Sequence, residues 1–459
     1  MEIPRILISG TSSRVGKTMI SVGLMRALLN RGYTVQPYKI GPDFIDPSFH
    51  FFATGRHSRN IDGFMMGKED VLESFQRNAK KADIAIVEGA MGLYDSGSSV
   101  NEQGSSAEAS KIIKAPVILI ANVERIARSA APFVLGYKLF DPKVNLQGVI
   151  LNRAGSSRHA SKVREAVEGL TDLRVLGVLQ RNKHIVFPER HLGLVPAFEK
   201  KDIEIQFDRL ARIVEDNIDV DAIIEIARSA PKLRTKRNHP VFNNLKKFDV
   251  NVGIIRDKAF TFYYQDVIDA LKSNCKEIKY IDSFKDENLP DVDALYIGGG
   301  FPEIFAQELQ DNSSLRQDIK EFCESGKPVY AECGGLMYLG DKLITKDERS
   351  YEMVGFFPLD TKMMQSRQAL GYAITTAIVD NPLSMKKDTL VGHEFHYSKI
   401  KLKGDVKFAY KTTRGHGING EYDGILKNNT LAGYLHLHIL SYPRMVHNFL
   451  RLAEEIKQL

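Results

Sequence analysis

Two groups of residues carry types and spacings able to do chemistry. The first is Gly10-Thr-Ser-Ser-Arg-Val-Gly16-Lys17-Thr18, a short loop bounded by glycines and ending in a lysine and a hydroxyl. Backbone N–H groups of such a loop, and of the helix after it, face phosphate oxygens, and glycine lets that backbone come close. Lys17 is expected to reach the outer phosphates and Thr18 to ligate Mg²⁺, so the stretch predicts ATP binding. The second group is Val329-Tyr-Ala-Glu332-Cys333-Gly334-Gly335, an apolar run meeting a thiol and two glycines. A sharp strand-to-helix turn there exposes Cys333 where the helix dipole favours thiolate. A thiol nucleophile needs a base, and Tyr434-Leu-His436-Leu-His438 offers one. Gly299 and Gly300, after another apolar run, have backbone N–H groups suited to an oxyanion hole.

Acids surround the first group. Glu88 ends the apolar run Ile84–Val87, where phosphate-loop proteins hold the Mg²⁺ ligand or its bound water, and Asp95 lies on the glycine-rich loop beyond. Lys39-Ile-Gly41-Pro42-Asp43-Phe-Ile-Asp46 closes an earlier run with a lysine and two acids. Asn152 ends a later one, suited to a nucleobase edge or to capping its own loop. Loops at the C-terminal ends of parallel strands are where open α/β sheets bind ligands. Cys275 and Cys323 have no glycine context and read as packed thiols.

The elements that must position these groups follow from the apolar pattern. Continuous Val/Ile/Leu character at Thr34–Lys39, Ile84–Val87, Val117–Ala121, Gln147–Leu151, Arg174–Val178 and Leu192–Val195 predicts a parallel sheet buried on both faces. A basic, proline-broken stretch between about Ser229 and Asp249 reads as a linker. A second alternating pattern follows at Val250–Ile255, Glu277–Ile281, Ala294–Ile297 and Pro328–Ala331. At 459 residues the chain has room for two or more domains, and 43% hydrophobic content is ordinary for a soluble protein. No apolar run approaches the ~20 residues of a membrane span. The first residues enter a strand, so no signal peptide is expected, and three cysteines without metal or disulfide spacing fit a reducing cytoplasm. A net charge of +6, scattered rather than massed, does not favour nucleic acid but suits an acidic small substrate.

Nine motifs in order resemble the cobyrinate a,c-diamide synthase family nearly end to end. Beside the phosphate loop they include Lys39–Pro47, Gly55-Arg-His-Ser-Arg-Asn60, Val87–Asp95, Glu189–Ala197, Ala259–Tyr264, Ile297–Glu303, Ala331–Met337 and Gly392-His-Glu-Phe-His396. Five residues between Gly10 and Gly16, rather than four, also resemble the dethiobiotin-synthetase-like branch of phosphate-loop proteins. The resemblance implies an α/β protein of two parts. Residues 1–230 would form a phosphate-loop amide synthase with a mostly parallel sheet, 231–248 a linker, and 249–459 a class I glutamine amidotransferase domain. It implies ATP-dependent phosphorylation of a carboxylate, then attack by ammonia released from glutamine, at the a and c side chains of a tetrapyrrole. Mg²⁺ would be held by Thr18 and Glu88 with Asp43, while Asp46, Asp95, Arg56 and Arg59 would serve substrate and activation. The two arginines would clamp peripheral carboxylates by bidentate pairing. Cys333 and His436 would be catalytic, and a homodimer stays open.

Arg14 stands where the family commonly has glycine, and Phe44 where it often has tyrosine. His438 occupies the place of a glutamate found in many related amidotransferases, so the expectation is a Cys–His pair without that carboxylate. Strand alternation would put His436 and His438 on one face about 7 Å apart, so spacing does not choose between them; the family's Tyr-x-His pattern selects His436. A nickel-sirohydrochlorin a,c-diamide synthase is the alternative with the same chemistry. A partitioning-ATPase-like switch shares the first motif but leaves Cys333 and His436 unexplained.

Overall fold

The structure is a computed structural model and describes residues 2–181, 200–234, 239–243 and 247–459. The expected strand Leu192–Val195, the motif Glu189–Ala197 and parts of the linker lie outside these residues. The chain divides into two compact units, Met1–Arg237 and Asn238–Leu459, both of mixed α/β structure.

The first unit is built on seven parallel strands: β1 (Arg5–Gly10), β2 (Val35–Ile40), β3 (Arg59–Ile61), β4 (Ile84–Glu88), β5 (Val117–Asn122), β6 (Leu146–Ala154) and β7 (Arg174–Gln180), in the order β3-β2-β4-β1-β5-β6-β7. β1, β2 and β4 are buried along their whole length, as strands covered on both faces by helices must be. Ile6, Ile8, Ile84, Ile86, Ile118, Ile120 and Ile150 form the core with Leu24, Leu28, Phe207 and Leu210 from the helices. Helix α1 (Lys17–Asn30) follows the phosphate loop, and α2 (Ile45–Thr54) follows β2. Because β1 pairs with both β4 and β5, the ends of β2, β4, β1, β5 and β6 open on one edge.

The second unit carries a ten-stranded sheet. Its parallel part is β9 (Glu277–Ile281), β8 (Asn251–Ile255), β10 (Ala294–Ile297), β11 (Val329–Glu332) and the strand Thr430–Gly433. Antiparallel strands Tyr422–Lys427, Lys407–Arg414, Ala369–Ala377, Thr389–His396 and His436–Leu437 continue it. No helix among the described residues is long and apolar enough to cross a membrane.

Candidate active sites

The phosphate loop leaves β1 at Gly10 and enters α1 at Lys17. Gly16 sits at φ +101, and a β-carbon there would come within 2.5 Å of Asn152 Nδ2, so only glycine fits. Arg14 also has positive φ, at 62°, a strained conformation for a side-chain-bearing residue that glycine would adopt freely. Its carbonyl accepts from Arg153 Nη2 at 2.9 Å, which helps hold the loop.

A buried charge cluster faces this loop. Glu88, directly opposite Ile8 on β1 and Lys39 on β2, accepts from Thr18 Oγ1 (2.8 Å) and Lys39 Nζ (3.0 Å). His50 Nε2 lies 2.7 Å from its other oxygen, and Ser58 Oγ holds the far side of that imidazole at 3.0 Å. Lys39 also pairs with Asp46 at 2.6 Å. Burial alone would raise the Glu88 pKa, but Lys39, His50 and the Thr18 hydroxyl outweigh it and hold the carboxylate far below its usual range. Burial likewise disfavours the Lys39 charge, and Asp46, Glu88 and Asp43 overcome it, so its ammonium persists. Lys17, which donates to the Ser12 and Met91 carbonyls, is pushed the other way. Burial first and the Lys39 charge second lower it to about 8, despite Glu88, Asp46 and Asp95.

Several expected ligands are engaged within the protein. Asp43 Oδ1 accepts the Ile45 and Asp46 N–H groups at 2.8 and 3.0 Å, opening α2 as a cap. Asp95 Oδ2 takes the Gly92 N–H at 2.8 Å. Arg56, expected as a carboxylate clamp, donates to Gln36 Oε1 (3.0 Å) and the Asn78 carbonyl (3.3 Å). Arg59 lies in β3 opposite Tyr38. The Asn152 amide is used on the Val15 carbonyl (2.8 Å) and the Arg153 N–H (2.8 Å), the loop-capping reading rather than a free base contact. Beside it, a cavity of about 440 Å³ is lined by Glu124, Arg125, Arg153, His159 and Arg181 among others, from the loop after β5, the end of β6, the helix Ser157–Leu170 and the residue after β7.

In the second unit Cys333 leaves β11 at φ 48°, ψ −94°, a sparsely populated conformation that costs on the order of 1–3 kcal/mol. Its N–H is fixed to the Gly433 carbonyl at 2.7 Å, and the helix Gly334–Leu339 follows at once. Crowding explains the glycines. A β-carbon on Gly299 would strike His436 Cε1 at 2.7 Å, one on Gly334 would reach the Gly300 nitrogen at 3.0 Å, and one on Gly300 would overlap the Ala259 carbonyl at 1.9 Å. The Gly299–Gly300 backbone therefore runs against both the imidazole and the cysteine turn.

The Cys333 thiol lies 3.8 Å from the Phe395 carbonyl and close enough to His436 to act on that imidazole's charge, and His436 Nδ1 lies 3.1 Å from Glu332 Oε2. A carboxylate orienter is thus present, contrary to the expectation of an unassisted pair, and it comes from the residue before the cysteine. Tyr330 (2.5 Å) and the Leu437 N–H (3.3 Å) hold the other Glu332 oxygen. Sequence alternation hid this contact, because neighbours in a strand point to opposite faces. The turn at Cys333 breaks that alternation and brings both side chains to one imidazole. Burial pulls the His436 pKa down, but Cys333 and Glu332 outweigh it and raise it to about 10.

His438 does not share the site. The strand His436–Leu437 ends before it, and its ring stands edge-on to Tyr264 with Nε2 3.5 Å from Asp266. Burial lifts the Cys275 thiol to about 11 and the Cys323 thiol to about 12, which leaves both inert. The sequence reading also missed His50, though its spacing of four from Asp46 on α2 signals a shared face.

Comparisons with known proteins match a family model to each part of the chain. Residues 6–195 match the family model of the CobQ/CobB/MinD/ParA nucleotide binding domain, and residues 251–443 that of the CobB/CobQ-like glutamine amidotransferase domain. The chain is 56% identical over 457 residues to the cobyrinate a,c-diamide synthase of Archaeoglobus fulgidus, covering 100% of this chain and 99% of that one. It is 44% identical to the Methanothermobacter thermautotrophicus protein of the same name (98% and 100%) and 42% identical to that of Dehalococcoides mccartyi (99% of both).

Proposed function

Because the chain belongs to the cobyrinate a,c-diamide synthase family and is a glutamine-dependent, amide-forming ligase, we propose that it amidates the a and c carboxylates of cobyrinate. ATP would first convert each carboxylate to an acyl phosphate, and ammonia from glutamine would then displace phosphate. The observation that carries this reading is the presence on one chain of a phosphate loop facing buried Glu88 and of a thiol–imidazole–carboxylate set.

In the first unit Lys17 and the loop N–H groups bind the outer phosphates, and the base enters the cavity beside Asn152. Thr18 Oγ1 and Glu88 Oε1, hard oxygens 2.8 Å apart, fit Mg²⁺ held by few side chains together with phosphates and water. When bound, the ion would neutralise charge on the transferring phosphoryl group. Lys39, a permanent buried cation between Asp46 and Glu88, attracts the substrate carboxylate and stabilises negative charge as it moves. Asp46 and Asp95 lie near enough to Lys17 to act on its charge. In the second unit Cys333 yields its proton to His436 and attacks the glutamine carboxamide. The oxyanion faces the Gly299–Gly300 backbone, and His436 returns the proton to departing ammonia. Water then releases glutamate from the thioester.

Charge at Lys17 gives a pH signature. Its lowered pKa, about 8, leaves free protein partly neutral there above neutrality, and triphosphate restores the charge. ATP binding just above pH 8 should therefore take up a proton, and KM for ATP should rise with pH through this window. Calorimetry in buffers of different ionisation enthalpy measures the uptake; binding without it would contradict the lysine's role.

Glu332→Gln should lower glutaminase kcat about 10–10²-fold. Glu332 is one of the groups raising the His436 pKa, so its loss should bring the alkaline limb of the pH profile to lower pH. An unmoved limb would show that Glu332 does not act on the base. Side-by-side amidation of cobyrinate and nickel-sirohydrochlorin, with glutamine and ATP, tests the substrate assignment. Turnover of the nickel compound alone would replace it.

A further inference from the structure

His436 is held by more than its carboxylate. His393, on the strand Thr389–His396, is its direct register partner across the antiparallel pair, so both side chains share a face. The rings stack with centroids 4.9 Å apart and planes 20° apart. Tyr264, just before the helix Gln265–Asn274, places its hydroxyl 3.0 Å from His393 Nδ1. His393, Tyr264 and His436 are buried.

We propose that His393 is a positioning residue for glutamine hydrolysis, which with Tyr264 fixes the plane of the His436 imidazole against the Cys333 thiol. The proposal rests on the reading that Cys333 and His436 hydrolyse glutamine. One hydrogen bond to Glu332 defines an axis for the ring but leaves its rotation about that axis open. A flat partner stacked on one face, with the Gly299 backbone crowding Cε1, removes that freedom. Tilting the ring by about 1 Å at the thiol would cost on the order of 10²-fold in rate.

Charge agrees with this division of labour. The titratable groups around the stack include Cys333, Glu332, His436 and His396, then Tyr264, with His438 and Asp266 behind it. Burial, followed by the His436 charge, drives the His393 pKa well below 6.5. His393 is neutral where the enzyme works, and the proton belongs to the ring that touches the thiol. His393 touches no reacting atom in this mechanism.

The test compares His393→Leu with His393→Phe, and adds Tyr264→Phe. Glutaminase kcat, KM for glutamine and the pH profile are measured, with synthesis from free ammonia alongside. His393→Leu, which fills the space without a flat ring, should lose about 10–10²-fold in kcat with little change in KM. His393→Phe, which restores the stacked ring, should recover most of that loss, and Tyr264→Phe should lose severalfold. Ammonia-dependent synthesis should be unchanged in all three. Wild-type kcat in His393→Leu, a loss confined to KM, or equal damage from Leu and Phe would overturn the proposal. Glutaminase surviving in Cys333→Ser would instead defeat the parent reading, which separates the two failures.

Discussion

Cys333→Ser should abolish glutamine hydrolysis and glutamine-dependent amidation, with losses of at least about 10³-fold, yet still form amides from high free ammonia. The serine hydroxyl keeps the shape of the strained turn, so its N–H remains on the Gly433 carbonyl and the fold has no reason to change. What is lost is a nucleophile whose proton passes readily to His436, because a hydroxyl is far less acidic than a thiol. The groups assigned to ATP, Lys17, Thr18 and Glu88, belong to the other unit and do not use the thiol. Rescue by ammonia is therefore the diagnostic outcome. Continued use of glutamine at the wild-type rate would remove Cys333 from the mechanism.

Glu88→Gln should lower synthesis by about 10²-fold or more, with either nitrogen source, and leave glutaminase in place. The amide keeps the volume but removes the charge that Lys39 and His50 both face. Breaking a buried pair in this way costs about 3–5 kcal/mol of stability as well, so the melting temperature should fall. Lys17→Ala separates the two effects. It removes a phosphate contact that forms no ion pair among the described residues, and should abolish ATP-dependent amidation with a smaller loss of stability. Normal kcat in both variants would reduce Glu88 and Lys17 to structural roles.

Much of this arrangement is legible in the sequence because burial dictates it. Ile6–Ile8, Ile84–Val87 and Val117–Ala121 must be covered on both faces, so a parallel sheet and its ligand-binding edge follow from their composition. Glu277–Ile281 and Ala294–Ile297 have in the structure the bounds expected from their pattern, and the other expected strands among the described residues differ by one to three residues at an end. Arg59–Ile61 and most strands after Glu332 are not expected from the pattern. What stays hidden depends on local breaks in periodicity. Glu332 reaches His436 only because Cys333 turns out of its strand, and His438 departs because the strand carrying His436 is two residues long. The partners of Asn152 and Arg56, the Val15 carbonyl and Gln36 of β2, come from distant segments that spacing does not encode, whereas Asp43 caps N–H groups two and three residues on. His393 becomes visible only through cross-strand register.

The most direct test follows the atoms through the reaction. Cobyrinate labelled with ¹⁸O in its carboxylates is incubated with MgATP and glutamine carrying ¹⁵N in the side-chain amide, and product and inorganic phosphate are analysed by mass spectrometry. The account predicts ¹⁸O in the released phosphate and ¹⁵N in both new amides, at the a and c positions. Diamide formed with no ¹⁸O in phosphate, or with ¹⁵N absent from the product, would contradict it.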